Sequence, residues 1–285
     1  MKDKSIQELI DLYNSGKLDV VEKKVVELIK KNPRSFFLYN LFGAILVEKK
    51  NFDQALVNYK KSLEINPDYA EGHNNLGIAF YKLGKFSESV DSYQCAIKIK
   101  PNFTKAYNNL GLVYKDLGKF TESINSYQEA IKINPEYAEA HNNLGVTFKE
   151  LGELDKSINS YQNAIKINPN YAEAYNNIGN AYNANQKIDD AILNYKKAIK
   201  LNSNFAEAYN NLGNLLKEIG EIDEAQKYES KLLCLKPNDI DYKINVTLSI
   251  SPIVGSIEEI NYYRNKYKKG LDLLNEYKYF SEKPG

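Results

Sequence analysis

The chain has 285 residues, of which 43% are hydrophobic and 26% are charged, a balance typical of a folded protein. The net charge is +1 and the only arginines are Arg34 and Arg264, which argues against a nucleic-acid-binding surface. No run of about 18 apolar residues occurs and residues 1–10 lack the apolar stretch of a signal peptide, so we expect a cytoplasmic protein without membrane contact.

Residues 1–35 follow, in part, a 34-residue period that becomes clear from residue 36 onward. They keep apolar residues and a glycine in phase but lack the aromatic residues and asparagines of the later repeats. The terminal unit of a stacked array has one uncovered side, so its composition differs from that of the inner units. We therefore predict an N-terminal capping repeat at 1–35.

Residues 36–239 contain six windows of 34 residues, which begin at residues 36, 70, 104, 138, 172 and 206. Positions within each window are numbered from 1 to 34. Most windows have an aromatic residue or histidine at position 4, leucine at 7, glycine at 8, tyrosine at 24, alanine at 27 and proline at 32. A period between about 20 and 50 residues indicates stacked repeats rather than one compact core.

Two helices fit each window. Positions 4, 7, 8 and 11 lie on one side of a helix with 3.6 residues per turn, so they predict a buried stripe. Glycine at position 8 costs about 1 kcal/mol of helix propensity, which indicates close approach of a neighbouring helix. A second glycine, at position 15, suits a left-handed helix end. Lys50 and Gln186 replace it, so we expect those two turns to be strained or differently closed.

This pattern of an aromatic residue, Leu-Gly, alanine, tyrosine and proline at a period of 34 resembles the tetratricopeptide repeat. The resemblance implies an all-α fold, a right-handed α-solenoid superhelix of helix-turn-helix repeats. It also implies that the first helix of each repeat lines a concave groove, whereas the second helix lies on the outside.

Asparagines occupy positions 5 and 6 of most windows. Position 6 lies about 150° from the centre of the buried stripe, on the opposite side of the helix, and position 5 lies at the edge of that opposite side. Given the resemblance, we predict two parallel rows along the groove. The position-6 row is Asn75, Asn109, Asn143, Asn177 and Asn211, and the position-5 row is Asn40, Asn74, Asn108, Asn142, Asn176 and Asn210.

An amide side chain both donates and accepts hydrogen bonds, which suits the backbone of an extended peptide. Repeats about 10 Å apart would present one amide for every three peptide residues, since an extended peptide advances about 3.3 Å per residue. The alternative left open by the sequence is that the asparagines are solvated or hydrogen-bond between repeats. Lys115, Lys149 and Lys217 at position 12 are further candidate peptide contacts, with a solvated face as their alternative.

No cofactor, metal or catalytic residue is predicted. His73 and His141 fill position 4, where the other repeats have tyrosine, and so substitute for packed rings. Cys95 and Cys234 lie on different repeats, and we expect reduced, partly buried thiols rather than a disulfide.

Residues 240–285 depart from the repeat pattern. Residues 244–250 alternate apolar and polar side chains, which locally favours a strand, but the repeat phase favours a degenerate helix, which we predict. Ser256 and Glu259 form a capping box for a second helix over 257–278. Its apolar face of Ile260, Tyr263, Tyr267, Leu271 and Leu274 predicts a helix that caps the open end of the array, followed by a tail.

Residues 248–274 also resemble the junction that follows the repeats in SPINDLY-type O-linked N-acetylglucosamine transferases. The residues that carry this likeness are Leu248, Pro252, Ile253, Ser256, Glu258, Glu259, Ile260, Arg264, Gly270 and Leu271. The resemblance implies repeats that select protein substrates for a separate nucleotide-sugar domain, which does not fit before Gly285.

Two functions are therefore predicted. The first is a non-catalytic scaffold that binds an extended peptide, and the alternative is the substrate-recognition region of such a transferase. RNA-reading helical repeats are disfavoured by the charge, and self-association stays open.

Overall fold

The computed structural model describes residues 3–237, 239, 258, 261–262 and 264–272, with side chains from residue 6 onward. Over residues 3–237 the chain forms α-helices and no strand, which confirms the predicted all-α fold. The helices in this range are α1 (Asp3–Asn14), α2 (Leu18–Lys31), α3 (Phe36–Glu48), α4 (Phe52–Ile65), α5 (Ala70–Lys82), α6 (Phe86–Ile99), α7 (Thr104–Asp116), α8 (Phe120–Ile133), α9 (Ala138–Glu150), α10 (Leu154–Ile167), α11 (Ala172–Ala184), α12 (Ile188–Leu201), α13 (Ala206–Glu218) and α14 (Ile222–Leu235).

The turn inside each repeat has a left-handed residue at position 15. The glycines there have φ between 70° and 86°, and the turn is closed by backbone hydrogen bonds such as Lys85 N to Phe80 O at 2.9 Å. Lys50 and Gln186 adopt the same conformation, with φ of 59° and 57°. Asn51 N to Leu46 O at 2.8 Å and Lys187 N to Tyr182 O at 2.9 Å close these two turns as in the other repeats, so they are not differently closed. Residues other than glycine and asparagine are unfavourable in this region, so strain stays the prediction for both turns.

The glycine at position 8 lies under the tyrosine at position 24 of the same repeat. A Cβ atom built on Gly111 would approach the ring of Tyr127 to 2.8 Å, and one on Gly179 would approach the ring of Tyr195 to 2.7 Å. Both tyrosines are almost completely buried. The predicted close approach is confirmed, and the tyrosine ring of the second helix is the group that requires it.

The described chain divides into two compact units, Met1–Thr147 and Phe148–Gly285, and the division falls inside α9. In the first unit, each helix from α1 to α7 packs against the next, and the first helices of successive repeats also contact each other, α3 with α5 and α5 with α7. Apolar clusters fill these contacts. One joins Leu46, Tyr59, Leu76 and Phe80, and the capping repeat contributes Val21 to another.

The second unit repeats this arrangement. Helices α10 to α14 pack in sequence, α11 contacts α13, and Tyr195, Leu212, Leu215 and Leu216 form part of a shared core. In the last repeat, Glu229 stands at position 24, where the other repeats have tyrosine. Its side chain is 6% exposed and its Oε1 lies 2.7 Å from Lys217 Nζ, so this repeat replaces the buried ring by a buried ion pair.

The C-terminal residues that the structure describes, 258, 261–262 and 264–272, are helical, which agrees with the helix predicted over 257–278. Its predicted apolar face is wrong at two positions, because Tyr267 and Leu271 are 41% and 42% exposed while Gly270 is buried. The degenerate helix predicted from residues 244–250 lies outside the described residues.

Lys266 is a half-buried residue of this helix. Burial lowers the pKa of Lys266, the nearby carboxylate of Glu229 acts in the opposite direction, and the ammonium of Lys217 adds to the lowering. The side chain of Lys266 therefore lies within electrostatic range of Glu229 and Lys217.

Candidate functional site

Asparagine side chains connect the first helices of successive repeats. In each case, the amide nitrogen at position 6 donates to the amide oxygen at position 5 of the preceding repeat. The pairs are Asn75 to Asn40 at 3.2 Å, Asn109 to Asn74 at 3.0 Å and Asn143 to Asn108 at 3.0 Å in the first unit, and Asn211 to Asn176 at 3.0 Å in the second. The hydrogen-bonding alternative left open by the sequence therefore describes this contact.

The position-5 row is buried within the array. Asn108 and Asn176 are each 1% exposed, and each also donates to the glutamate at position 2 of the following repeat, Glu139 at 3.1 Å and Glu207 at 2.9 Å. The whole row shares this burial except for Asn210, which is half-buried; its buried members are Asn40, Asn74, Asn108, Asn142 and Asn176.

The expectation that both rows face a ligand is wrong for the five buried members of the position-5 row, whereas for the half-buried Asn210 it stays a prediction. A buried polar group without a partner is costly, and the amide oxygens of Asn40, Asn74, Asn108 and Asn176 each accept a hydrogen bond from the following repeat. A buried amide cannot contact a peptide in this conformation, so the binding hypothesis narrows to the other row.

The position-6 row remains at the surface, and its five asparagines are half-buried. The single hydrogen bond of Asn109 and that of Asn143 each use one N–H, which leaves the amide oxygen and the second N–H without a partner in the described part of the chain. The inward bond also fixes the orientation of each amide. Each unit carries its own row of these residues, which we call its asparagine face: Asn75, Asn109 and Asn143 in the first unit, and Asn177 and Asn211 in the second.

The three lysines at position 12 have different surroundings. Lys217 is paired with the buried Glu229, and Lys115 Nζ lies 2.9 Å from Asp116 Oδ1, so both ammonium groups are already engaged. Lys149 is half-buried at the start of the second unit. Lys115 and Lys217 are therefore poor candidates for peptide contacts, whereas Lys149 stays a prediction.

The histidines have a structural role in the described geometry. His73 Nε2 donates to the carbonyl oxygen of Pro67 at 2.9 Å, and His141 Nε2 donates to that of Pro135 at 3.1 Å.

Cys95 and Cys234 are free thiols, and both are exposed, so the expectation of partial burial is wrong. Among the described residues, no cluster of three histidine, cysteine or acidic side chains suits a metal ion. None of the described helices is both long and apolar enough to span a bilayer.

One part of the site was not assigned from the sequence. Asn180, at position 9, accepts hydrogen bonds from Tyr195 Oη at 2.7 Å and from Asn211 Nδ2 at 3.1 Å. Position 9 lies on the same side of the first helix as position 6, so the helical wheel places it at the site. The wheel does not show that position 9 of one repeat contacts position 6 of the next.

Comparison with known families identifies the repeats. A family model described as TPR repeat matches residues 43–84, 79–118, 111–152, 147–186 and 179–220, and a model described as tetratricopeptide repeat matches residues 206–239. These matches do not extend to residues 248–274, so the resemblance of that segment to glycosyltransferases gains no support from them. A search of curated protein sequences found no significant match.

Solved structures with a similar fold include the APC/C heterotetramer Cut9–Hcn1, with 20% identity and a TM-score of 0.69 over 84% of this chain. The chain spans about half (47%) of that protein. MamA is 30% identical with a TM-score of 0.51, over 58% of this chain and 96% of MamA. YrrB, described as a TPR protein with an unusual peptide-binding site, is 22% identical with a TM-score of 0.50, over 65% of this chain and 96% of YrrB.

Proposed function

Because the chain belongs to the tetratricopeptide repeat family, we propose that it is a protein-interaction scaffold whose asparagine face binds the backbone of an extended peptide segment. The observation that carries the proposal is the fixed amide row. The amides of Asn75, Asn109, Asn143 and Asn211 are each held by a hydrogen bond to the preceding repeat, and Asn109 and Asn143 keep an oxygen and an N–H for a ligand.

Pre-organisation makes this row suitable for binding. An amide whose rotamer is already fixed loses little conformational entropy when a peptide binds. An oxygen acceptor and an N–H donor at each repeat match the N–H and C=O groups of a peptide backbone, which are present whatever the side chains. YrrB, described as having a peptide-binding site, has a similar fold, so the fold is compatible with such a ligand.

The test is the replacement of Asn109, Asn143 and Asn177 together by alanine. Peptides of twelve residues are first selected from a random phage-displayed library with the wild-type protein, and their Kd values are then measured by fluorescence anisotropy. Each lost hydrogen bond weakens binding by about 0.5–1.5 kcal/mol, so we expect Kd to rise at least about tenfold.

The matched control replaces three exposed asparagines away from this face, Asn102, Asn125 and Asn159, by alanine. This control keeps the wild-type Kd if the asparagine face is the binding surface. Circular dichroism checks that both variants stay folded. Unchanged peptide binding by the folded Asn109/Asn143/Asn177 variant, or failure of the wild type to select any peptide, would contradict the proposal.

The transferase alternative is a second hypothesis that rests on the sequence resemblance of residues 248–274 alone. It requires that the natural reading frame continue into a nucleotide-sugar-binding domain, with these repeats selecting its protein substrates. Sequencing of the gene beyond codon 285 tests it directly, since a stop codon there would reject it.

A further inference from the structure

The residue three positions after each amide of the asparagine face, at position 9 of the same helix, differs in type between the two units. Position 9 follows position 6 by three residues and lies on the same side of the helix. In the first unit it is aliphatic, with Ile78, Leu112 and Val146, whereas in the second unit it is Asn180 and Asn214. The three aliphatic side chains are half-buried, so part of each is accessible at this surface.

In the second unit, Asn180 at position 9 takes part in a hydrogen-bond network. Asn211 uses its amide N–H groups on two acceptors, Asn176 Oδ1 at 3.0 Å and Asn180 Oδ1 at 3.1 Å, and Asn180 also accepts from Tyr195. The donors of Asn211 are therefore satisfied inside the protein. A peptide carbonyl at this position would have to displace an existing bond.

Position 9 cannot form such a hydrogen-bond network in the first unit, because an aliphatic side chain cannot accept a hydrogen bond. Asn109 and Asn143 each keep one N–H for a ligand, and by repeat equivalence Ile78 lies beside Asn109 and Leu112 beside Asn143. The repeats that carry Asn109 and Asn143 therefore each offer a backbone-binding amide next to an apolar surface. Ile78 itself packs against the cluster that contains Leu110 and Val113, so its position is fixed.

The charged groups of this face are mostly paired. Glu71 is 2.9 Å from Lys100, Asp116 is 2.9 Å from Lys115, and Glu139 accepts hydrogen bonds from within the unit. These carboxylates are thus poor partners for a basic ligand, since binding it would break existing contacts.

Two lysines complete the charge pattern. Lys82 at position 13 and Lys105 at position 2 are exposed and have no carboxylate within 4.0 Å in the described part of the chain. Unpaired positive charge at both ends of these helices favours an uncharged or acidic segment over a basic one.

We infer that the first unit is where the peptide binds, and that its ligand is an extended, uncharged or acidic segment with an aliphatic side chain at every third residue. This inference rests on the proposed function. Repeats about 10 Å apart and a rise of about 3.3 Å per residue bring every third side chain to the same place in the next repeat. The amides bind the backbone, and Ile78, Leu112 and Val146 contact the aliphatic side chains.

The experiment uses the full chain and the same random twelve-residue library. We expect the selected peptides to share aliphatic residues spaced by three. Replacing one of these by serine in a selected peptide should raise its Kd about tenfold, because the apolar contact is lost. Replacing a residue between them should have little effect.

The protein variant is Ile78→Asn with Leu112→Asn, which copies the residue type of the second unit. We expect it to lose about tenfold in affinity for these peptides and, in a fresh selection, to lose the aliphatic spacing. Val57→Asn is the matched control, because Val57 belongs to the same unit, is 65% exposed on α4 and lies on a second helix.

The outcomes separate this inference from the proposed function. Selected peptides without aliphatic spacing, or equal binding by the folded Ile78→Asn/Leu112→Asn variant, would overturn the inference while loss of binding in the Asn109/Asn143/Asn177 variant still supported the scaffold. Unchanged binding in that alanine variant would reject both. If the Ile78→Asn/Leu112→Asn variant does not fold, the serine substitutions in the peptide decide the question on the wild-type protein.

Discussion

Lys50 and Gln186 hold a backbone conformation that the equivalent turns give to glycine. Their φ values of 59° and 57° lie in the left-handed region, where Cβ crowds the following carbonyl at a cost of about 1–2 kcal/mol. The turn keeps its geometry because the helices on both sides are fixed by packing. The sequence alone predicts this free-energy cost for single residues, since the repeat phase shows that Lys50 and Gln186 stand where the other repeats have glycine.

We predict that Gln186→Gly stabilises the protein. Removal of Cβ relieves the strain, and the extra flexibility of glycine in the unfolded chain offsets part of this gain, so the net effect is about 0.5–1 kcal/mol. Thermal unfolding followed by circular dichroism should show a rise of about 2 °C.

Gly152→Ala is the comparison for this experiment. Gly152 has a φ of 76° and no neighbouring atom within 4 Å of a built Cβ, so its substitution tests the backbone term without a steric clash. It should lower the unfolding temperature. A lower unfolding temperature for Gln186→Gly would show that the turn is not strained.

Pairs of helices are joined by the contact between a glycine and a tyrosine ring. The second helix supplies the ring, and the first helix can approach it because position 8 has no Cβ atom. The last repeat is the exception. A Cβ built on Gly213 meets Glu229 Cγ at 3.5 Å, which is an ordinary contact, because Glu229 has replaced the tyrosine.

We predict opposite effects for one substitution in two repeats. Gly111→Ala should destabilise the protein, because the new methyl group would lie 2.8 Å from the Tyr127 ring and the core is too densely packed to move freely. Gly213→Ala should be neutral or stabilising by up to about 1 kcal/mol through helix propensity. Urea unfolding measures both, and equal destabilisation by the two substitutions would contradict this account of position 8.

Over the whole molecule, the same buried tyrosine recurs in both units. Tyr59, Tyr93, Tyr127, Tyr161 and Tyr195 are each at most 2% exposed. Burial raises the pKa of all five well above the usual value, because the phenolate would lose its water. Because the same buried phenol recurs in five repeats, the stability of the folded chain depends on pH in the alkaline range.

We predict that stability falls steeply above about pH 10. Below that pH the phenols are protonated in both states, and above it the unfolded chain releases protons that the folded chain keeps. Each tyrosine therefore costs about 1.4 kcal/mol of stability per pH unit. Urea unfolding between pH 8 and pH 11 gives the slope.

Tyr59→Phe should reduce this slope by the contribution of one proton, since it removes one buried phenol and leaves the lysines unchanged. The comparison is made against the wild-type protein at each pH. An identical slope in the two proteins would show that buried phenols do not control the alkaline transition.

The sequence alone determined the period, the paired helices, the left-handed turns and the close approach at position 8, because these depend on local spacing and backbone sterics. It placed the asparagines away from the apolar stripe but did not separate the two rows. Asn108 and Asn109 are neighbours in the sequence, yet one is buried between repeats and the other lies at the surface. Only the packing of successive first helices decided this, because it sets which amide is enclosed between successive repeats and which stays at the surface.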